Sequence, residues 1–175
     1  RTVIIAGGDF LMETNIHYVF GKEDLLDCVK PLWQELNKLH LDQSPCFKDF
    51  YASNTFETRK AALLSTARKG QLSIILACDA ATVVGYCIAS IVGNTGEIDS
   101  IFVSSGYRKM GIAGHLMDKA LSWLKERKPK NMVVKVSAGN EKVFGFYARY
   151  GFYPCLTELQ MLPDSYNNPR RKRRA

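Results

Sequence analysis

At 175 residues the chain has the length of one domain, enough to bury a core but not two. Its 46% hydrophobic and 23% charged residues are those of an ordinary globular chain, and no apolar run reaches the roughly 20 residues that cross a bilayer, so a membrane partner is set aside. The net charge of +7 is not by itself a nucleic-acid signal. Five of the charges stand in the run Arg170-Arg171-Lys172-Arg173-Arg174, and the rest of the chain carries only about +2.

Residues 1–14 are read as a leader or extension, because the chain starts without Met and Met12 stands just before the first plausible element. A single domain over 15–163 and a disordered basic tail over 164–175 complete the expected organisation. Nucleic-acid contact is expected, if anywhere, only through that tail. NIHYVF, from 15 to 20, reads as a short strand. From 22 to 39, Leu25, Val29, Leu32, Trp33, Leu36 and Leu39 recur at helical spacing, with Glu23 and Asp24 where the helix dipole favours acids. Pro31 predicts a kink or a late start there. Residues 39–54 have no clear period, and a second helix over 55–69 ends at Gly70.

The period then changes to two. LSIILAC, TVVGYCIASIV and GEIDSIFVS predict three strands joined by two hairpin turns, the middle one apolar throughout as a central strand would be. Ala113, Leu116, Met117, Ala120, Leu121 and Leu124 mark a helix face. NMVVKVS is the next strand, 140–150 a short helix, and CLTELQML a last strand. Five cysteines without a CxxC pair, four of them inside predicted elements, read as small hydrophobes in a reducing cytoplasm. No His and Cys spacing predicts a metal.

Between the third of those strands and its helix lies RKMGIAG, with Arg108, Lys109, Met110, Gly111, Ile112, Ala113 and Gly114. A helix that starts near Ile112 leaves its first N–H groups unpaired at the positive end of its dipole, and Gly111 lets a ligand approach the main chain. The turn is read as an anion cradle; alone, it is equally a tight strand-to-helix connection. It is neither GxxxxGK[ST] nor the dinucleotide GxGxxG.

Residues 103–113, with Arg108, Gly111 and Ala113, resemble the R/Q-x-x-G-x-G/A signature of the GNAT superfamily of N-acetyltransferases. Residues 140–152, with Asn140, Tyr147, Gly151 and Phe152, resemble that superfamily's N-x-x-A-x-x-x-Y-x-x-x-G-F stretch, and the element order over 16–162 agrees. Lys109-Met110 replaces a commoner Gly and basic pair, and Val143 stands in the usual Ala slot. The resemblance implies an α+β fold of three layers. A mixed, mostly antiparallel sheet of six or seven strands would carry helices on both faces and splay between the fourth strand (96–104) and the fifth (131–137). It implies acetyl-CoA as cofactor, with its pyrophosphate on 108–114 and its pantetheine along Ile101, Phe102 and Val103 beside Asn140 and Phe146. Tyr147 falls on the general-acid position and also meets the pantetheine arm; its bland alternative is a core aromatic flanked by Phe146 and Tyr150.

Amine acetylation needs a deprotonated nucleophile, an oxyanion donor and a proton for the departing thiolate. A lysine-type amine, with pKa near 10.4, costs roughly 4–5 kcal/mol to neutralise at pH 7, whereas an α-amine near 8 costs about 1. A main-chain N–H near Phe102 or Val103 is the expected oxyanion donor. Glu97 and Asp99, on one face of a strand, are the candidate bases; water remains an alternative. Glu97 stands eleven residues before Arg108, a spacing that resembles that of the base glutamate in the histone-acetylating branch. His40 and His115 read as structural or exposed. Phe47, Phe50, Tyr51 and Phe56 are candidates for an aromatic acceptor pocket or for core. The expected function is transfer of acetyl to a primary amine of a small molecule or peptide, in a ternary complex. The alternative is a non-catalytic acyl-CoA-binding regulatory module. A homodimer is expected through the last strand.

Overall fold

The computed structural model describes residues 15–162; the expected leader, Pro163 and the whole of the basic tail lie outside them. Its sheet has five strands in the order β1-β2-β3-β4-β5, with β1 Ile16–Gly21, β2 Gln71–Asp79, β3 Thr82–Val92, β4 Thr95–Val103 and β5 Asn131–Val134. The first four are antiparallel neighbours and β5 runs parallel to β4. Two two-residue turns close the hairpins, and Ala80 and Gly93 take the positive φ these tight turns need (48° and 58°).

Helices cover both faces. α1 (Leu26–Gln43), the short α2 (Lys48–Ser53) and α3 (Phe56–Lys69) precede β2; α4 (Ile112–Glu126) and α5 (Phe144–Ala148) flank β5. Leu26, Val29, Leu32 and Trp33 of α1 and Phe56 and Leu63 of α3 pack on Ile74, Leu76, Tyr86, Ile88 and Phe102. On the opposite face, Ile112, Leu116, Met117, Ala120, Leu121 and Leu124 of α4 pack on Ile75, Cys87, Ala89, Ile98 and Val103. Period-two alternation therefore feeds two cores. β2 and β3 are buried on both sides, as apolar central strands must be.

Several expectations are corrected. The sheet has five strands, not six or seven, because CLTELQML finds no strand partner and stays exposed among the described residues. α1 carries Pro31 inside it and runs on to Gln43; as the sixth residue, Pro31 forgoes the one bond an N–H there would make to the Asp27 carbonyl. The aperiodic stretch holds one six-residue helix, α2. Of the cysteines, only Cys78 and Cys87 are buried; Cys28, Cys46 and Cys155 are exposed. No helix among the described residues is long and apolar enough to cross a membrane.

Candidate active site

β4 and β5 pair only from Thr95↔Asn131 to Ile98↔Val134. Beyond that point β4 continues to Val103 with no neighbour on its β5 side, so the strands part as expected. A cavity of about 540 Å³ opens there and reaches both helical layers, from Trp33, Tyr51 and Arg59 on one side to Ala113, Phe146 and Tyr147 on the other.

A bulge sets what β4 presents to it. Ile98 pairs with Ala89 and Ser100 with Ile88, which leaves Asp99 as the extra residue. Ile98, Ile101 and Val103 thereby pack towards α4, while Phe102 turns to α1 and α3. Ser100 shares that second face, where its hydroxyl lies 2.8 Å from the buried Tyr86 hydroxyl. Strict alternation would have put Ile98 and Ile101 on opposite faces.

Ten residues singled out from sequence line this cavity: Glu97, Asp99, Ile101, Phe102, Val103, Arg108, Ala113, Asn140, Phe146 and Tyr147. Lys109, Met110, Gly111, Ile112 and Gly114 do not; they form the turn above it. There Lys109 and Gly111 adopt left-handed φ of 65° and 78°, and Gly111 caps α4. The helix's first bond runs from the His115 N–H to the Gly111 carbonyl, 3.1 Å. The amides of Ile112, Ala113 and Gly114 are thus the free donors of its first turn. Arg108 does not point away from the strand: its Nε–H donates to the Val103 carbonyl (3.1 Å) and its guanidinium lies 5.3 Å from the Phe102 ring centroid. The Tyr107 hydroxyl donates to Asp79 (3.0 Å) and pins the approach to the turn.

Each candidate base has a cation nearby, but only Glu97 is bonded to its own. Lys135 Nζ donates to Glu97 at 3.0 Å. The Asp99 side chain is only 10% exposed, and burial lifts its carboxyl above the ordinary carboxylate value, with Ser90 and Arg59 pulling it back. Tyr147, partly buried against Phe146 and Phe152, has its phenol pushed up to about 12, chiefly by burial. Asn140 is 8% exposed and its Oδ1 has no hydrogen-bond partner.

The acceptor-facing side holds residues that sequence reading missed. Arg59 donates to the Asp99 carbonyl (3.0 Å), and Asn37 donates to the carbonyl of Tyr51 (2.8 Å), tying α1 to α2. Arg59 had no signal: on α3 it reads as one more cation of a solvated face. Of the four aromatics considered, Tyr51 lines the cavity, Phe56 is core against Trp33, and Phe50 is exposed. His40 also lines it, stacked 5.5 Å from Tyr51, its imidazole pushed below its ordinary value by burial. His115 packs on Tyr18 (5.9 Å), away from the cavity.

A model of the Acetyltransferase (GNAT) family matches residues 33–152, and the chain belongs to that family. Solved structures agree on the fold. A GCN5-related N-acetyltransferase from Ralstonia eutropha superposes with a TM-score of 0.68 at 16% identity, covering 85% of this chain and 99% of that one. An aminoglycoside N-acetyltransferase, AAC(6′)-Iy, solved with CoA, gives 0.62 at 14% identity over 87% and 97%. A ribosomal-protein-alanine N-acetyltransferase from Brucella melitensis gives 0.60 at 16% over 84% and 98%.

Proposed function

We propose that the chain transfers acetyl from acetyl-CoA to a primary amine of a small molecule or peptide, by direct attack in a ternary complex. The observation that carries this reading is one cavity, at the parting of β4 and β5, lined at once by Tyr147, Glu97, Asp99 and the free stretch of β4. Two further features suit the cofactor. β4 beyond Ile98 lacks a neighbour on that side, so its main chain is available to an amide-bearing arm, and the buried Asn140 Oδ1 lacks a donor. The free amides of the α4 turn suit a pyrophosphate, with 108–114 around it.

Bound acetyl-CoA supplies the acyl thioester. In our reading Asp99 or Glu97 takes a proton from the acceptor ammonium, directly or through water. The main-chain N–H of Val103 donates to the carbonyl oxygen as charge builds on it, since that of Phe102 faces β3. Tyr147 donates its Oη proton to the departing sulfur; with its pKa near 12 it keeps that proton at neutral pH. Ile101 and Phe146 hold the arm. The five free cysteines suit a reducing cytoplasm, and the exposed run after Phe152 suits a second copy of the chain as partner.

The test is Tyr147→Phe. Acetyl-CoA affinity by calorimetry stays within about twofold, while turnover of the acceptor falls on the order of a hundredfold, the usual contribution of a positioned general acid. Unchanged turnover removes Tyr147 from the mechanism. Failure of wild-type protein to bind acetyl-CoA removes the proposal itself.

A further inference from the structure

The acceptor end of the cavity contains a cation and an anion that are neighbours but poorly matched. Arg59 Nη2 stands 3.8 Å from Asp99 Oδ1, beyond hydrogen-bond range, and gives its one hydrogen bond to the Asp99 carbonyl instead. A guanidinium has five donors in a planar fork shaped for a carboxylate. Four of the five have no partner among the described residues. The Asp99 carboxylate is nine-tenths buried; Ser90 is the one hydroxyl beside it, and its enclosed Oδ2 has no hydrogen-bond partner. A buried charge so poorly satisfied is costly unless something else completes it.

The charge balance narrows what that something is. The acidic groups on the cavity wall are Glu97 and Asp99, facing Lys135 and Arg59; Arg108 and Lys142 also line it. There is no surplus of negative charge to attract a polycation. Trp33, Leu36 and Tyr51 also line the cavity and give it an apolar, aromatic surface, interrupted by Asn37, His40 and Asn54.

We infer that the acceptor is a free α-amino acid with an apolar side chain, its ammonium directed to Asp99 and its carboxylate to the Arg59 fork. The two charged groups of the protein are adjacent, so those of the ligand are adjacent too. That matches an amine and a carboxylate on one carbon, and not a long diamine or a chain-terminal lysine. The zwitterion inserts into the loose pair, and each partner exchanges a distant contact for a close one. Its side chain lies against Trp33, Leu36 and Tyr51. Asp99 is then placed to take the ammonium proton, so the inference rests on the transferase reading and adds a specificity-determining residue, Arg59, to it.

The experiment follows CoA thiol release with acetyl-CoA and three probes, L-leucine, L-leucinamide and spermidine, with acetyl-CoA binding measured by calorimetry on the same protein. Leucine is expected to exceed leucinamide in kcat/KM by about ten- to a hundredfold, the range for a hydrogen bond to a charged group, with spermidine below both. In Arg59→Met that ratio falls towards one, mostly through KM for leucine; Arg59→Lys, a point charge without the fork, retains part of it. The ratio is the decisive quantity because damage to the fold or to the β4 bulge lowers both acceptors together. Equal losses for leucine and leucinamide in Arg59→Met overturn the inference and leave Arg59 as a prop for the bulge. Preference for leucinamide or spermidine, or acetyl-CoA binding without release to leucine, overturns it while the cofactor reading stands. No acetyl-CoA binding overturns both.

Discussion

Asp99 sits where folding and chemistry make opposite demands. Folding favours its neutral form, because burial raises its pKa in the folded protein, whereas a base must be ionised. Between the unfolded and folded values the folded chain holds more protons than the unfolded one. The contribution of this group to stability is therefore present at low pH and lost as pH rises through the folded value. Asp99→Asn keeps the shape and deletes the charge. Its thermal midpoint should exceed that of the wild type at pH 8, with the difference closing towards pH 4, while turnover falls at both. Calorimetric scans across that range check it; a pH-independent difference would assign the effect to packing. Tyr147 sets no limit inside the same window, since its phenol titrates near 12.

Among the elements, the turn before α4 is the most demanding. Gly111 at φ 78° caps the helix, and a Cβ there would meet no atom within 4 Å. The cost of Gly111→Ala is then purely conformational, roughly 1–2 kcal/mol for a left-handed L-residue. Urea unfolding should read that loss, and calorimetry a weaker grip on acetyl-CoA as the turn relaxes. Full stability in the variant would mean that the turn has a second accessible form. Gly139, at φ 91°, differs in kind, because its Cβ would overlap the Gln43 carbonyl where the loop after β5 abuts the end of α1. The turn, the three hairpin strands and the face of α4 were legible in sequence because each is written locally, in periods of two or near four residues and in glycines at the joints. The bulge at Asp99 was not, since one extra residue leaves the alternation readable on either side of it. Nor was Arg59, whose role depends on a contact forty residues away. The last strand was overread for the opposite reason. CLTELQML has the composition of a strand, but a strand exists only where a neighbour supplies its hydrogen bonds.

At the scale of the whole molecule, one sheet separates two cores, and its edge at β5 is short. β5 pairs only with β4, and only over four residues. Immediately after α5 the chain displays Tyr153, Leu156, Leu159 and Met161 to solvent, with Leu156 85% and Leu159 91% exposed. Single exposed leucines are ordinary, but four large apolar residues exposed within 153–161 are the pattern of a surface that meets another surface. A second copy is the occupant we propose, because each copy brings both an edge and a run, and the two are related by exchange. Wild-type protein should then show a concentration-dependent rise to the dimer mass in light scattering coupled to size exclusion. Leu156→Glu combined with Leu159→Glu should stay monomeric over the same range, since burying two carboxylates in the contact costs more than the apolar area returns. Helical and sheet content by circular dichroism should not change, because neither side chain touches either core. A wild-type chain that stays monomeric throughout would leave the run as a surface for a different partner and the edge at β5 as merely short.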